Sequence, residues 1–201
     1  VRDVVKNIAA VAHPTNLPYR ATYVGDPEIV NAYAFPGGHV MIFEGLWDEK
    51  EGLVETVDEL AAVVGHEIAH VNCRHSTEEK TRLMLPNLAL AGGLIWAELE
   101  DDENAQLALA AIAVVHEGLV VTKYSRMDEL EADRVGMMYM AKAGYDPAAA
   151  IRVWERLAGA TDSQIERALS IFSTHPRDFK RTKELRKHLA EKKLDQRTIF
   201  I

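Results

Sequence analysis

Apolar residues recur at helical spacing at the start of the chain and then give way to short alternating runs. Residues 2–12 are expected to form a helix whose apolar face comprises Val4, Val5, Ile8 and Val11. Three β-like runs follow at 20–24, 28–35 and 39–43, and turn sequences rich in glycine and proline separate them. The second and third runs are expected to form a hairpin.

Helical periodicity dominates the rest of the chain. Residues 56–73 contain no proline and carry an apolar stripe made of Ala61, Val64, Ile68 and Val71. Further helices are predicted over about 125–142, 147–158, 162–172 and 177–191. This order predicts an α+β fold in a single domain, residues 1–201, with a small antiparallel sheet near the N-terminus beside a mostly helical body. We expect the sheet to cover one side of the 56–73 helix.

The most apolar part of the chain, residues 83–121, is interrupted by the polar run 98–103. Neither 83–97 nor 104–121 supplies the roughly 18 uninterrupted apolar residues that a membrane-spanning helix needs. We therefore predict a buried or partly exposed helical hairpin. The alternative is a segment that contacts a membrane surface or envelope machinery peripherally.

Charge and composition narrow the functional classes. The 201 residues include 23 basic and 31 acidic side chains, a net charge of −8 that disfavours a nucleic-acid partner. Basic residues concentrate in 176–201, where we expect a solvated helix face. The single cysteine, Cys73, excludes an internal disulfide and a zinc site built from cysteines. A chain that opens at Val1 without a signal-peptide pattern is expected to be a trimmed or mature fragment.

Two histidines and a glutamate stand at metal-binding spacing within the predicted 56–73 helix. His66 and His70 are four residues apart and project from one helical face, so both imidazoles can reach one metal ion. Glu67 would lie beside that metal, where its carboxylate can contact a bound water. The alternative is a chance match. Histidines packed among apolar residues in mid-helix are unusual without a ligand, and we therefore predict a metal site.

A catalytic zinc site takes three protein ligands, so another donor is expected from elsewhere. His75 follows the motif too closely and would point to a different side, and Ser76 excludes the metzincin spacing. Glu129 and Asp133 share a face of a later helix, from which Glu131 points away. This arrangement permits Glu129 to bind the metal while Asp133 accepts the ring N–H of a ligand histidine. An ordinary charged helix surface is the alternative.

Taken together, the motifs resemble peptidase family M48, a family of gluzincins. The resemblance rests on H-E-I-A-H at 66–70, Y-S-R running into E-L-E-A-D at 124–133, S-T-H-P at 173–176 and N-A-Y-A-F-P-G-G at 31–38. It implies a zincin-like fold with one zinc ion per chain. It also implies that His66, His70 and Glu129 bind this zinc and that Glu67 is the catalytic base.

The resemblance implies roles for further residues. His175 is expected near the active site, where it either stabilises the oxyanion or fills the fourth position on zinc. Arg181 stands where the family carries an arginine, and its function stays open. Tyr124 and Arg126 are weaker candidates. The remaining histidines are expected to lie outside the site, namely His13, His39, His116 and His188.

The activity implied is that of a zinc metalloendopeptidase of the soluble bacterial periplasmic type, acting on misfolded or misassembled envelope proteins. Zinc would activate a water, and Glu67 would take its proton and deliver it to the leaving amine. The substrate is expected to lie extended and to pair with an edge strand at 39–43. One alternative is a zinc-binding chaperone or adaptor with little proteolytic activity. A second is a structural helical domain with a chance motif.

Overall fold

A computed structural model describes residues 1–13, 17–47, 52–75, 77, 93, 96, 104–106, 124–160, 171, 175 and 180–192. Within these ranges the helices are α1 (Arg2–Val11), α2 (Val57–Asn72), α3 (Arg126–Lys142), α4 (Ala149–Ala158) and α5 (Lys180–Lys192). The strands are β1 (Arg20–Val24), β2 (Ala32–Ala34) and β3 (His39–Phe43), and a 3₁₀ turn covers Glu44–Trp47. The predicted α+β class is confirmed, and β2 is shorter than the run that predicted it.

The three strands form one mixed sheet in the order β1–β3–β2. The expected hairpin is confirmed, because β2 and β3 pair antiparallel, with Ala34 opposite Val40, across a turn in which Gly38 has a φ of +83°. β1, however, pairs with β3 in parallel, which corrects the expectation of an antiparallel sheet. Since β2 occupies one edge of β3, β1 can pair only with the other edge. The chain reverses direction between β1 and β2 and again between β2 and β3, so β1 runs in the same direction as β3.

Strand β3 lies at the centre of the sheet and is paired on both sides. The prediction that a substrate pairs with residues 39–43 is therefore wrong, because neither edge of that strand offers unpaired backbone groups. β2 is an edge strand of this sheet and packs against α2. Its Ala34 N–H donates to Glu67 Oε2 at 3.2 Å. The expectation that the sheet covers one side of α2 is confirmed.

Helix α2 lies at the centre of the described core. Thr56 caps its N-terminus, where Oγ1 accepts the N–H of Glu59 at 3.2 Å. Every side chain from Glu59 to Val71 is buried, rather than a single stripe as the sequence suggested, because α1, β2, α3 and α4 all pack around this helix. A helix buried on all sides must satisfy its polar side chains internally.

Two glycines allow α2 and α3 to approach closely. A Cβ on Gly65 would lie 2.9 Å from the carbonyl oxygen of Gly136, and a Cβ on Gly136 would lie 2.8 Å from the carbonyl carbon of Gly65. The two helices therefore touch backbone to backbone at this point. α3 begins at a capping box in which Ser125 and Asp128 exchange hydrogen bonds between side chain and backbone.

Helix α5 packs against α3 and α4. Its outer face exposes Arg186 and Lys187, as expected for a solvated basic face. None of the helices in the described ranges combines the length and hydropathy needed to cross a bilayer. The hairpin predicted within 83–121 and the helix predicted over 162–172 lie outside the described residues, apart from isolated positions.

Candidate metal centre

Helix α2 brings two imidazoles together inside the protein. His66 and His70 are buried, one helical turn apart, and their Nε2 atoms lie 3.0 Å from each other. Both Nε2 atoms also face a carboxylate from α3. Two ring nitrogens that converge on one point in this way have the arrangement of two ligands of a single metal ion.

Two further donors complete a cage around that point. The carboxylate of Glu129 lies 3.6 Å from His66 Nε2 through Oε2 and 3.4 Å from His70 Nε2 through Oε1. His175 Nδ1 lies 3.3 Å from His66 Nε2 and 2.9 Å from Glu129 Oε1. Tetrahedral zinc, with bonds to nitrogen of about 2.0–2.1 Å, places its ligand atoms about 3.3 Å apart. The four side chains therefore have the mutual spacing of a tetrahedral metal site.

The charge of the cage also fits a divalent cation. Three buried carboxylates, those of Glu67, Glu129 and Asp133, lie at the cage, and the buried guanidinium of Arg181 contacts two of them, Glu129 and Asp133. Burial lowers the pKa of His175, but the charges of Glu129 and Glu67 outweigh burial and raise that pKa to about 9. Arg181 and protonated His175 together leave one of the three carboxylate charges uncompensated. Because a buried charge without a partner is costly, a divalent cation that replaces the His175 proton would stabilise this cluster.

Glu67 lies directly beside the cage. Its Oε1 lies 3.2 Å from His175 Nε2, and its Oε2 accepts the backbone N–H of Ala34 at 3.2 Å. Burial tends to raise the pKa of Glu67, but His175 and the two histidines of α2 lower it by more, so it falls below its usual range. The carboxylate is therefore ionised and able to accept a proton.

The outward-facing nitrogens of both α2 histidines lie close to other polar side chains. His66 Nδ1 lies 3.0 Å from Asp133 Oδ1. This contact agrees with the expectation that Asp133 lies behind one of the two histidines. His70 Nδ1 lies 2.9 Å from His75 Nδ1. His75 is not one of the four clustered donors, as expected, yet it touches the site from behind. Partners in these positions fix the orientation and tautomer of a ligand histidine.

Arg181 links the two carboxylates of α3. Its Nη1 lies 2.6 Å from Glu129 Oε2, and its Nε and Nη2 donate to Asp133 at 2.8 and 2.7 Å. The guanidinium stacks 3.5 Å from the ring centre of Trp154. Burial raises the pKa of Asp133, but Arg181 and His66 together lower it to about 2. Arg181 thus holds both carboxylates in place and neutralises part of their charge.

Aromatic rings cover the histidines. Tyr124 stacks on His70, with ring centres 3.8 Å apart and an interplanar angle of 21°. Trp154 contacts His66 edge to face at 5.5 Å. Sequence analysis supported Tyr124 weakly and Trp154 not at all, because an aromatic residue on another element has no spacing relationship to the motif on α2. Arg126, the other weak candidate, has an exposed side chain.

The histidines expected outside the site remain outside it where they are described. None of His13, His39 and His188 belongs to the four-donor cluster, within the part of the chain that the structure describes. His39 is exposed, and its Nε2 lies 2.8 Å from the hydroxyl of Thr22. His116 and the rest of the S-T-H-P motif around His175 lie outside the described residues.

Comparison with known proteins gives one consistent set of matches. The family model described as peptidase family M48 matches residues 1–189. A mitochondrial metalloendopeptidase OMA1 from Schizosaccharomyces pombe is 36% identical over 200 residues, which cover 98% of this chain and 55% of that protein. A putative beta-barrel assembly-enhancing protease from Vibrio cholerae is 36% identical over 155 residues, 75% of this chain and 31% of that protein. The chain spans about half the length of the first relative and about a third of the second.

Proposed function

The chain belongs to peptidase family M48, and on that premise we propose that it is a zinc-dependent metalloendopeptidase acting on polypeptide substrates. One observation carries the proposal: four buried donor atoms lie at tetrahedral spacing, and the ionised carboxylate of Glu67 lies against them. A purely structural zinc site needs its ligands but no carboxylate beside them.

We assign one zinc ion per chain to His66, His70 and Glu129. Two imidazoles and one carboxylate form a ligand set that suits zinc. Bound there, zinc would act as a Lewis acid on the attacking water and on the scissile carbonyl. Asp133 orients His66 from behind, and Arg181 holds the carboxylates of Glu129 and Asp133 in position.

Glu67 is the proposed general base. Its contact with the N–H of Ala34 fixes the orientation of the carboxylate, and its lowered pKa keeps it ionised at neutral pH. It would accept the proton of the attacking water and then deliver that proton to the leaving amine. Both transfers use the same carboxylate, so one substitution tests them together.

Replacing Glu67 by glutamine tests the proposal. The amide keeps the size of the side chain and can accept from Ala34, but it cannot take up the proton. We expect cleavage of an unfolded protein substrate to fall by about 10²- to 10⁴-fold, while metal analysis finds zinc content unchanged. Equal cleavage by the variant and the wild type would contradict the proposal. Zinc binding without cleavage by the wild type would favour the chaperone or adaptor alternative.

We further propose that His175 is a ligand of the resting site rather than a donor to the oxyanion. Its Nδ1 stands among the other donor atoms, and its Nε2 contacts Glu67. It therefore covers both the fourth coordination position and the base. An oxyanion donor would instead face the place where the substrate oxygen develops charge.

Substitution of His175 by alanine separates these two roles. If His175 covers the resting site, we expect a several-fold higher kcat/KM on a short peptide, because the fourth position and Glu67 become accessible. Zinc affinity, measured by chelator competition, should weaken, because one donor is lost. A fall in kcat of about 10²-fold with unchanged zinc affinity would assign the oxyanion role instead.

The substrates we propose are misfolded or misassembled proteins of a bacterial periplasm or cell envelope. One relative is named for enhancing beta-barrel assembly and another as mitochondrial, and both names supply analogy only. Digestion of an outer-membrane barrel in its folded and urea-unfolded forms checks this proposal. We expect the unfolded form to be cleaved faster, and equal rates would argue against selection of misfolded chains.

A further inference from the structure

Helix α2 is followed by a residue in the left-handed conformation, and another histidine lies behind the metal cage. Arg74 has a φ of +62°, in the left-handed region, and is the one residue other than glycine with a positive φ among those described. The ring of His75, which is 2% exposed, lies against His70. Backbone conformations of this kind persist where surrounding contacts hold them. The position of His75 is therefore built into the fold.

The positions of the ring protons determine which of His70 and His75 donates the hydrogen bond between them. The Nε2 of His70 faces the donor cage, and a nitrogen that binds a metal carries no proton. The proton of neutral His70 therefore sits on Nδ1, which lies 2.9 Å from His75 Nδ1. His70 must donate this hydrogen bond and His75 must accept it, because two N–H groups cannot face each other at that distance.

The same reasoning about proton positions extends from His75 to the protein surface. With its Nδ1 accepting, neutral His75 carries its proton on Nε2, which lies 3.3 Å from Glu131 Oε2. The carboxylate of Glu131 is 61% exposed, whereas His75 is buried. The resulting chain of donors and acceptors runs from His70 through His75 to Glu131, and it joins the buried cage to solvent.

We propose that His75 and Glu131 form a relay that fixes the tautomer and ring orientation of His70, and that they thereby set the metal affinity of the site. The inference rests on the metal site proposed above. Each of the two histidines is then oriented by side chains behind it. Asp133 orients His66, and the pair of His75 and Glu131 orients His70.

A second metal site is the competing use of these residues. The donor atoms of Cys73, His75 and Glu131 all lie within 4.8 Å of one another. A metal on His75 Nε2 would move the ring proton to Nδ1, where it would meet the proton on His70 Nδ1 at 2.9 Å. A metal on this second cluster and a metal on His70 therefore oppose each other, which favours the relay.

The test measures zinc affinity by chelator competition in the Glu67→Gln background, so that the result does not depend on cleavage. His75→Leu removes the acceptor, and we expect its zinc affinity to be about 10- to 100-fold weaker. His75→Asn places an amide oxygen near the position of Nδ1 and should restore most of that affinity. Glu131→Ala, at an exposed side chain, should fold normally and give a smaller loss, whereas the matched variant Glu131→Gln keeps an acceptor and should lose less.

The outcomes distinguish the relay from the metal site itself. If the parent chain binds no zinc, the proposed function fails. If it binds zinc and His75→Leu and Glu131→Ala bind equally well, the relay alone is overturned. Two zinc ions per chain, with the second lost in Cys73→Ser, would also overturn it. Nitrogen-15 NMR of the zinc-bound chain should find the His75 proton on Nε2 and none on Nδ1, and a proton on His75 Nδ1 would contradict the relay.

Discussion

Among the described residues, buried ionisable side chains along helix α2 form two networks, one at its first turns and one around His66 and His70. In the first network, Glu59 is 1% exposed and accepts two hydrogen bonds from Arg156, at 3.0 and 3.1 Å. It also accepts the N–H of Glu55 at 2.8 Å. Burial raises the pKa of Glu59, but these hydrogen bonds and the charges of Arg156 and Arg152 lower it by more. This network stabilises the fold without contacting the cage.

Glu59 should make the protein less stable in acid. Its pKa is lower in the folded protein than in the unfolded chain, so the unfolded chain takes up the proton first. The stabilisation is therefore complete above the unfolded pKa of about 4.5 and is lost as pH falls through that value toward the folded one. Glu59→Gln should lower the free energy of unfolding at pH 7 by about 1–3 kcal/mol.

Urea unfolding of both proteins at pH 7 and pH 4 measures this effect. The gap in free energy of unfolding between the wild type and Glu59→Gln should narrow at pH 4, where the wild-type carboxylate is mostly protonated in the unfolded chain. A gap that stays constant between the two pH values would contradict the assignment.

Between elements, the site depends on how closely α2 and α3 cross. Gly65 precedes His66 directly, and Gly136 lies three residues after Asp133, about one turn along α3. The contact between these glycines therefore sets how near the carboxylates of α3 come to the histidines of α2. The atoms that a Cβ would meet belong to the backbone, so they cannot move aside as a flexible side chain could.

Gly136→Ala should push the two helices apart. We expect the free energy of unfolding to fall by about 1–3 kcal/mol and zinc affinity to weaken, because Glu129 and Asp133 move away from the histidines. Gly37→Ala is the matched control, since a Cβ there meets nothing within 4 Å. Chemical unfolding and chelator competition check both effects. A Gly136→Ala variant that behaves like the control would show that the crossing does not limit the site.

On the scale of the whole molecule, the cage joins parts of the chain that are distant in sequence. Its donors come from α2, from α3 and from His175, and Arg181 on α5 supports them. The buried carboxylates where these parts meet outnumber the buried cationic groups. A bound divalent ion would therefore hold the folded chain together as well as serve the chemistry.

Removal of zinc should lower thermal stability. At a free zinc concentration about 1,000 times the Kd, one site contributes about 4 kcal/mol to the folded state, and a chelator should abolish that contribution. Thermal unfolding with zinc and with chelator measures the difference in Tm. Glu67→Gln should keep the difference because its ligands are intact, whereas His66→Ala should lose most of it. No difference in the wild type would contradict a zinc site in this cage.

The sequence by itself determined the local features of this protein. Helical spacing predicted α1 to α5 within a few residues, and the β-like runs between glycine- and proline-rich turns predicted β1 and β3 with their observed bounds. It also placed His66 and His70 on one face, because positions four apart on a helix share a face whatever surrounds them. The placement of Glu129 and Asp133 on one face followed from the same rule. Resemblance to family M48 then predicted that residues of both helices form one metal site.

Only the tertiary structure decided which of these features meet. Contacts of His175 with Glu129 and His66 join residues 46 and 109 positions apart, and no periodicity encodes them. β3 became the central strand because β2 took one of its edges and β1 the other. His75 contacts His70 just after the end of helix α2, where Arg74 has a positive φ. The physical reason is common to all three: spacing along a helix or strand is set by the backbone, whereas contacts between elements depend on how the whole chain packs.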